Sequence, residues 1–371
     1  MTKPLQIALP LMLHSSTEPK KFLEAKKRIE ALGEKYNIFL EVGVFLPFMP
    51  EDSRRKDNFS RQIENQKKYR LHIMMVETGI QKNNSLAYIP EDRTYNPLIP
   101  SNLEETIEQV AKLRDLDPNP LEDLTVAPHI GVVVSDRFEE GNFSLPGVYS
   151  VSDFVRYKKK ITQQARERFL FLQGTANVFG LTLAVENAYP VVVEAPGFWD
   201  GAGSWFRRQN NSPEMRYEVL NDITNLTKIS GQNLVFDLAH MAAAESVPFS
   251  FIRNKISPES LFLTMNVSSW EEYFKKIGRQ EDYLDKSHAI HLSQIEGIGC
   301  GLSQGSLEAS RWGGGGALPK LIPTERFVGV VSHAHRRGLP IALEPDYAFG
   351  PLNYKEADDL LEPILKLYNS S

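Results

Sequence analysis

Short apolar runs that stop abruptly at an ionisable side chain recur along the second half of the chain. Residues 181–190 read LTLAVENAYP, in which the run ends in Glu186 and Asn187 before Pro190. LVFD ends in Asp237, AIH in His291 and IALE in Glu344. A continuous apolar run of this length is the pattern of a strand buried on both faces, so the closing residue stands at the rim of a sheet. The four closing residues lie 51, 54 and 53 positions apart. Regular spacing of this size predicts successive strand–helix units of a parallel α/β barrel with long βα loops.

The earlier units follow the same plan less sharply. Strands are predicted at residues 6–11, 38–45, 71–76 and within 124–134, giving eight strand–helix units, a (β/α)8 barrel, in one domain over residues 1–371. Helices are predicted from Thr17-Glu18-Pro19, at 54–69, at 102–116 behind the cap Ser101, and at 153–178, whose Phe154, Tyr157, Ile161, Ala165, Phe169 and Leu172 share one face. Ser212-Pro213-Glu214 reads as the start of the fifth helix and Gly231 as its stop. A capping box is expected at Ser268 and Glu271, and Gly338 ends a helix over 325–337. Asn353 caps the final helix.

Composition changes this picture little. Hydrophobic content of 42% and charged content of 24% fit a folded globular chain, and a net charge of −5 argues against a nucleic-acid partner. No run approaches the ~18 apolar residues of a membrane span. Residues 5–13 could pose as a signal-peptide core, but only one positive charge precedes them, and they are read as the first strand. The single cysteine, Cys300, stands between two glycines and cannot form an internal disulfide, in keeping with a cytoplasmic protein. The partner expected is a small-molecule substrate, with a homo-oligomer also possible.

The candidate chemistry lies at the strand ends. Glu186, Asp237, His291 and Glu344 converging on one rim make a divalent-metal cage rich in oxygen donors, suited to Mn²⁺, Mg²⁺ or Co²⁺, with Fe²⁺ or Zn²⁺ further candidates. A set of structural ion pairs is the alternative. His240 follows Asp237 by three residues, so it could stand beside it and reach substrate or a second metal. His129 is either a satisfied core histidine or an active-site group. Trp199 and Trp205, in the glycine-containing loop 188–211, could stack on a sugar or pack within the loop or against another copy. Glycines in 298–318 could cradle a phosphate or form a lid. His72, His333 and His335 are read as structural, and Glu41 as a carboxylate at the barrel mouth or in an ion pair.

The segments LAVEN, VFDLAH, AIHLS and ALEP resemble the metal-bearing strands five to eight of the xylose isomerase-like TIM-barrel superfamily, which includes sugar isomerases and epimerases and endonuclease IV. The resemblance covers mainly residues 181–346. It implies one divalent metal on Glu186, Asp237, His291 and Glu344, with His240 touching substrate, and it likens His129 to the strand-four histidine of the endonuclease members. Departures are also present: the chain has no Asp-x-His pair after His291, no histidine ending strand three, and Gly297 where many epimerases carry an arginine. The expectation is a metal-dependent isomerase or epimerase of a sugar-like carbonyl compound, with Glu186, Glu344 and His240 as catalytic groups. A metal oxygenase acting on a peptide or natural product, a hydrolase or lyase, and a non-catalytic binding barrel are the alternatives.

Overall fold

The structure, a computed structural model, describes residues 3–11, 13, 17–48, 58–78, 103–128, 133–135, 151–187, 191–194, 214–218, 220, 222–253, 257–295, 310–311, 322–343 and 354–370. Barrel strands are numbered β1 (Leu5–Pro10), β2 (Leu40–Phe48), β3 (Ile73–Thr78), β4 (Leu124–Pro128), β5 (in two pieces, Leu181–Leu183 and Val185–Glu186), β6 (Leu234–Asp237), β7 (Ser287–Leu292) and β8 (Ile341–Leu343). All pair in parallel, and β1 pairs with both β2 and β8. The ring closes at β5. Its first piece pairs with β4 through Leu124 and Leu181, and its second with β6 through Leu234 and Val185. The change of partner occurs at Ala184, whose N–H donates to Val126 O at 3.0 Å while the next N–H, of Val185, donates to Asn233 O at 2.9 Å. The result is the α/β barrel predicted from the spacing.

The period of two along each strand sorts its side chains into an outer and an inner set. Outward residues such as Ile7, Val44, Val126, Phe236, Ile290 and Leu343 join one large cluster with the helices. Inward residues form a separate buried cluster to which every strand contributes: Ala8, Phe45, Met75, Ala127, Ala184, Val235, Ala289 and Ala342, with Met74 in addition. Only the barrel interior brings eight strands to one cluster, so this set is a filled layer across the barrel. Five of the eight are alanines, which leaves Phe45, Met75 and Val235 to occupy the centre. Met74 is the extra residue of a bulge, since Val44 pairs with Ile73 and Phe45 with Met75. Room for it comes from Gly43, where an added Cβ would lie 2.6 Å from Met74 Cγ.

The helices α1 (Glu18–Lys35), α2 (Asn58–Tyr69), α3 (Leu103–Arg114), α4 (Val151–Val178), α5 (Ile223–Ser230), α6 (Leu238–Arg253), α7 (Glu259–Met265), α8 (Trp270–Ile277), α9 (Gln280–Leu284), α10 (Thr324–Arg337) and α11 (Tyr354–Tyr368) surround the strands. Between β6 and β7 the additional helices have a small core of their own, in which Tyr273, Phe251 and Met265 are buried.

Two local readings of the sequence need correction. Glu214–Glu218 is a strand, and α5 begins only after Asp222, whose side chain accepts from Asn225 N at 3.0 Å. The Ser-Pro-Glu start signal is overridden because this strand pairs antiparallel on both sides, with Val133–Ser135 and with Val191–Glu194. Val133–Ser135 is therefore no part of β4, which ends at Pro128. The cap of α8 is Ser269, whose Oγ accepts from Glu272 N at 3.2 Å, one position beyond the box expected at Ser268. At the other mouth of the barrel Gln6 donates to Glu41 Oε2 at 3.2 Å, and His72 Nδ1 sits 3.1 Å from Asp117 Oδ2. Both Glu41 and His72 are thus in structural networks. His335 likewise contacts Tyr368 and the carbonyl of Lys3.

Candidate metal centre

Two residues beyond the inner layer, toward the carboxyl ends of the strands, alternation brings the next side chain inward. On β3 that residue is Glu77, on β5 Glu186, on β6 Asp237 and on β7 His291, and all four are buried. In sequence the same step from Ala127 and Ala342 leads to His129 and Glu344. Those two lie outside the described residues, as do Trp199, Trp205 and Cys300.

The structure brings Glu186, Asp237, His240 and His291 together. His291 Nδ1 lies 3.1 Å from Glu186 Oε1 and 4.0 Å from Asp237 Oδ2. His240 Nδ1 lies 3.6 Å from each of Glu186 Oε1 and Asp237 Oδ2. Their side chains are at most 9% exposed.

Local structure explains the placement. Strand β6 passes into α6 without a loop, so Asp237 is at once the end of a strand and the cap of a helix. Its Oδ1 accepts from His240 N at 2.8 Å. That bond directs the other oxygen to the imidazoles. Asn187 bridges β5 and β6 where the ladder stops: its side-chain oxygen accepts from Asp237 N at 2.8 Å, and its amide donates to Asp237 O at 3.0 Å. Its own carbonyl accepts from His240 Nδ1 at 2.7 Å. One residue therefore sets the height of Asp237 and the tautomer of His240, leaving Nε2 of a neutral ring as the acceptor. His291 is held from below by Phe45, whose ring meets it edge-on at 5.1 Å between centroids, and by Met75 Sδ, 3.2 Å from Nε2.

Electrostatics favour a cation here. Burial pushes the His291 imidazole toward neutrality, but the Glu186 carboxylate, by charge and hydrogen bond, together with the charges of Glu77 and Asp237, raises its pKa above the ordinary histidine value. Each of Glu186 and Asp237 lies within ion-pair distance of both imidazoles. Two buried carboxylates beside ligand-type nitrogens are costly without a compensating positive charge. Ligand atoms of Glu186, Asp237 and His240 all fall within 4.8 Å of one another. One ion bonded at about 2.0–2.3 Å to each donor joins atoms at nearly that span. The residues present fit a divalent metal.

Glu77 is not singled out by the hydrophobic pattern, and Asn187 is marked only as the second of the two residues that close its apolar run. Ending strand three at Val76 hides the first, although Met75-Val76-Glu77 continues the alternation. Nothing in sequence signals the bridging role of Asn187, because its bonds to Asp237 exist only once β5 and β6 are adjacent.

The chain is similar to xylose isomerase-like TIM-barrel proteins. One is a D-tagatose 3-epimerase-like protein, at 11% identity and a TM-score of 0.48 over 98% of this chain and 99% of the other. Another is a xylose isomerase-like TIM-barrel protein from Mycobacterium smegmatis, solved in complex with magnesium, at 12% identity and a TM-score of 0.45 over 98% and 97% of the two chains. A third is 3-keto-D-glucoside 4-epimerase from E. coli in its apo form, at 10% identity and a TM-score of 0.42 over 96% and 98%. Identities this low say nothing of substrate or reaction. No family model and no curated protein matches the chain.

Proposed function

We propose that the chain is a divalent-metal-dependent isomerase or epimerase of a sugar or related polyhydroxy carbonyl compound, acting by proton transfer. The observation that carries this reading is the buried group of Glu186, Asp237, His240 and His291 at the carboxyl ends of consecutive barrel strands. Glu186, Asp237 and His291 would hold the metal, with Glu344 as the fourth ligand expected from sequence. A metal bound there would supply a Lewis acid that polarises a substrate carbonyl and makes the adjacent C–H more acidic. Glu186 and Glu344 remove and return the proton, and each needs an oxygen basic enough to accept it. His240, fixed through Nδ1, presents Nε2 to a substrate hydroxyl. Asp237 takes no proton, since one oxygen is committed to capping α6.

A second reading draws support from His240 and Glu77. With His240 counted, the donors are two carboxylates and two imidazoles, a set that suits Mn²⁺, Fe²⁺, Co²⁺ or Zn²⁺ better than Mg²⁺. Glu77 adds a carboxylate on β3, four strands around the barrel from β7. Such a rim could hold redox-active iron or more than one ion, as in an oxygenase. Solvent-deuterium uptake into a panel of ketoses, aldoses and their phosphates separates the two readings. Proton-transfer chemistry predicts exchange of a carbon-bound hydrogen, abolished in Glu186→Gln. Binding of such compounds by metal-loaded protein without any exchange would overturn it in favour of the redox use of the site.

A further inference from the structure

We infer that Ser293 binds substrate, its hydroxyl meeting a substrate hydroxyl on the mouth side of the site, an inference that rests on the function proposed above. Strand β7 alternates as the others do: Ile290 and Leu292 face outward in the large cluster, while Ala289 belongs to the inner layer and His291 to the site. The chain stays extended past Leu292, because Gln294–Ile295 is a strand paired antiparallel with Ser310–Arg311. Ser293 is therefore the next inward residue after His291. Two residues of extended chain carry it about 6–7 Å nearer the mouth. Helix α6, which carries His240, packs beside Gln294–Ile295, so Ser293 stands on the His240 side of the site.

The Ser293 side chain is fully buried, yet its Oγ has no hydrogen-bond partner among the described residues. Buried serines elsewhere in the chain donate to a carbonyl within the fold. At the other end of the same strand Ser287 Oγ donates to Tyr283 O at 2.8 Å, and in α5 Ser230 Oγ donates to Leu226 O at 3.0 Å. A hydroxyl shut away from water without a bond is costly, and a ligand group that supplies the bond recovers the cost. A serine hydroxyl both donates and accepts, so the group it suits best is another hydroxyl. A polyhydroxy carbonyl compound offers one at successive carbons beyond the reacting centre. Ser293 has no charge and no proton to exchange at neutral pH, so it selects substrate and takes no part in the proton transfer. A site built to meet a hydroxyl discriminates against the analogue that lacks it, because its own buried group is then left unpaired.

The test compares the full-length wild type with Ser293→Ala in two measurements. The first is thermal melting in the presence of a chelator. The alanine variant should melt no lower than the parent, because no bond within the fold is lost, and a fall of more than about 2 °C would show a hydroxyl bonded in the fold and overturn the inference. The second is solvent-deuterium uptake by the Mn²⁺-loaded proteins into ketoses, aldoses and their phosphates, together with monodeoxy derivatives of each. In the wild type, loss of one particular hydroxyl beyond the reacting carbons should lower kcat/KM about 10-fold or more. In Ser293→Ala the complete sugar should suffer a similar loss, while the further penalty for that missing hydroxyl shrinks to within about 2-fold. Deoxy penalties that are the same in both proteins overturn the role of Ser293 and leave the isomerase reading standing. A wild type that exchanges no member of the panel overturns the isomerase reading, and the assignment of Ser293 with it.

Discussion

Replacing Asn187 by leucine tests whether the centre is built by one amide at the end of a ladder. Asn187→Leu keeps a similar volume at a position that is 2% exposed. It removes the bonds of 2.8 and 3.0 Å to the backbone N–H and C=O of Asp237. At about 1 kcal/mol net for each hydrogen bond the loss is about 2 kcal/mol, rising to about 4 kcal/mol where a backbone group of Asp237 finds no substitute partner. The Asn187 carbonyl survives the substitution, so His240 keeps the acceptor for its Nδ1–H. Urea denaturation in the presence of a chelator reads the fold alone, and divalent-metal titration of the folded variant reads the site. The expected outcome is a loss of about 2–4 kcal/mol at unchanged m-value, together with weaker metal binding from a displaced Asp237. A leucine variant as stable as the parent, within about 0.5 kcal/mol, would refute the bridging role.

Other consequences follow from the same geometry. Gly43→Ala should destabilise by about 1–3 kcal/mol in thermal melts, because the added Cβ would lie 2.6 Å from Met74 Cγ and 2.8 Å from the backbone carbonyl of His72; unchanged stability would contradict the tight approach of β2 and β3. Lys158 donates to Thr264 O at 2.7 Å, and its burial, only partly offset by the charge of Asp222, lowers its pKa from 10.5 to about 8. A lysine whose folded pKa is depressed releases its proton in the native state first, so the stability it costs at neutral pH is regained as pH rises from about 8 to 10.5. The stability of Lys158→Met relative to the parent should fall by about 3 kcal/mol across that window, and a pH-independent difference would contradict the burial argument. Asp237→Asn keeps a cap for α6 but weakens the cage, so it should lose metal affinity with little change in melting temperature, whereas Asp237→Ala should lose both.

The barrel was legible because its strands are buried on both faces and read as unbroken apolar runs with a ligand-type residue at each end. That pattern placed Glu186, Asp237 and His291 on one rim, and the three-residue step along the start of α6 placed His240 beside them. What the sequence could not display are contacts between elements. Glu214–Glu218 looks like a helix start until two flanking strands pair with it. The bulge at Met74 and the need for Gly43 arise only when β2 and β3 are adjacent. Met75 resembles any core methionine until β3 and β7 face each other. His129, Glu344 and the tryptophans of loop 188–211 lie outside the described residues, so their expected roles stand on the sequence.

The central claim is that Glu186, Asp237 and His291 hold a divalent metal. Elemental analysis of the protein as purified, followed by Mn²⁺ titration of the chelator-treated wild type, Asp237→Ala and His291→Ala, tests it most directly. The account predicts close to one equivalent of divalent metal in the wild type, and affinity lowered at least about 10-fold in each variant while the fold survives. Metal content and affinity that are the same in all three proteins would contradict it.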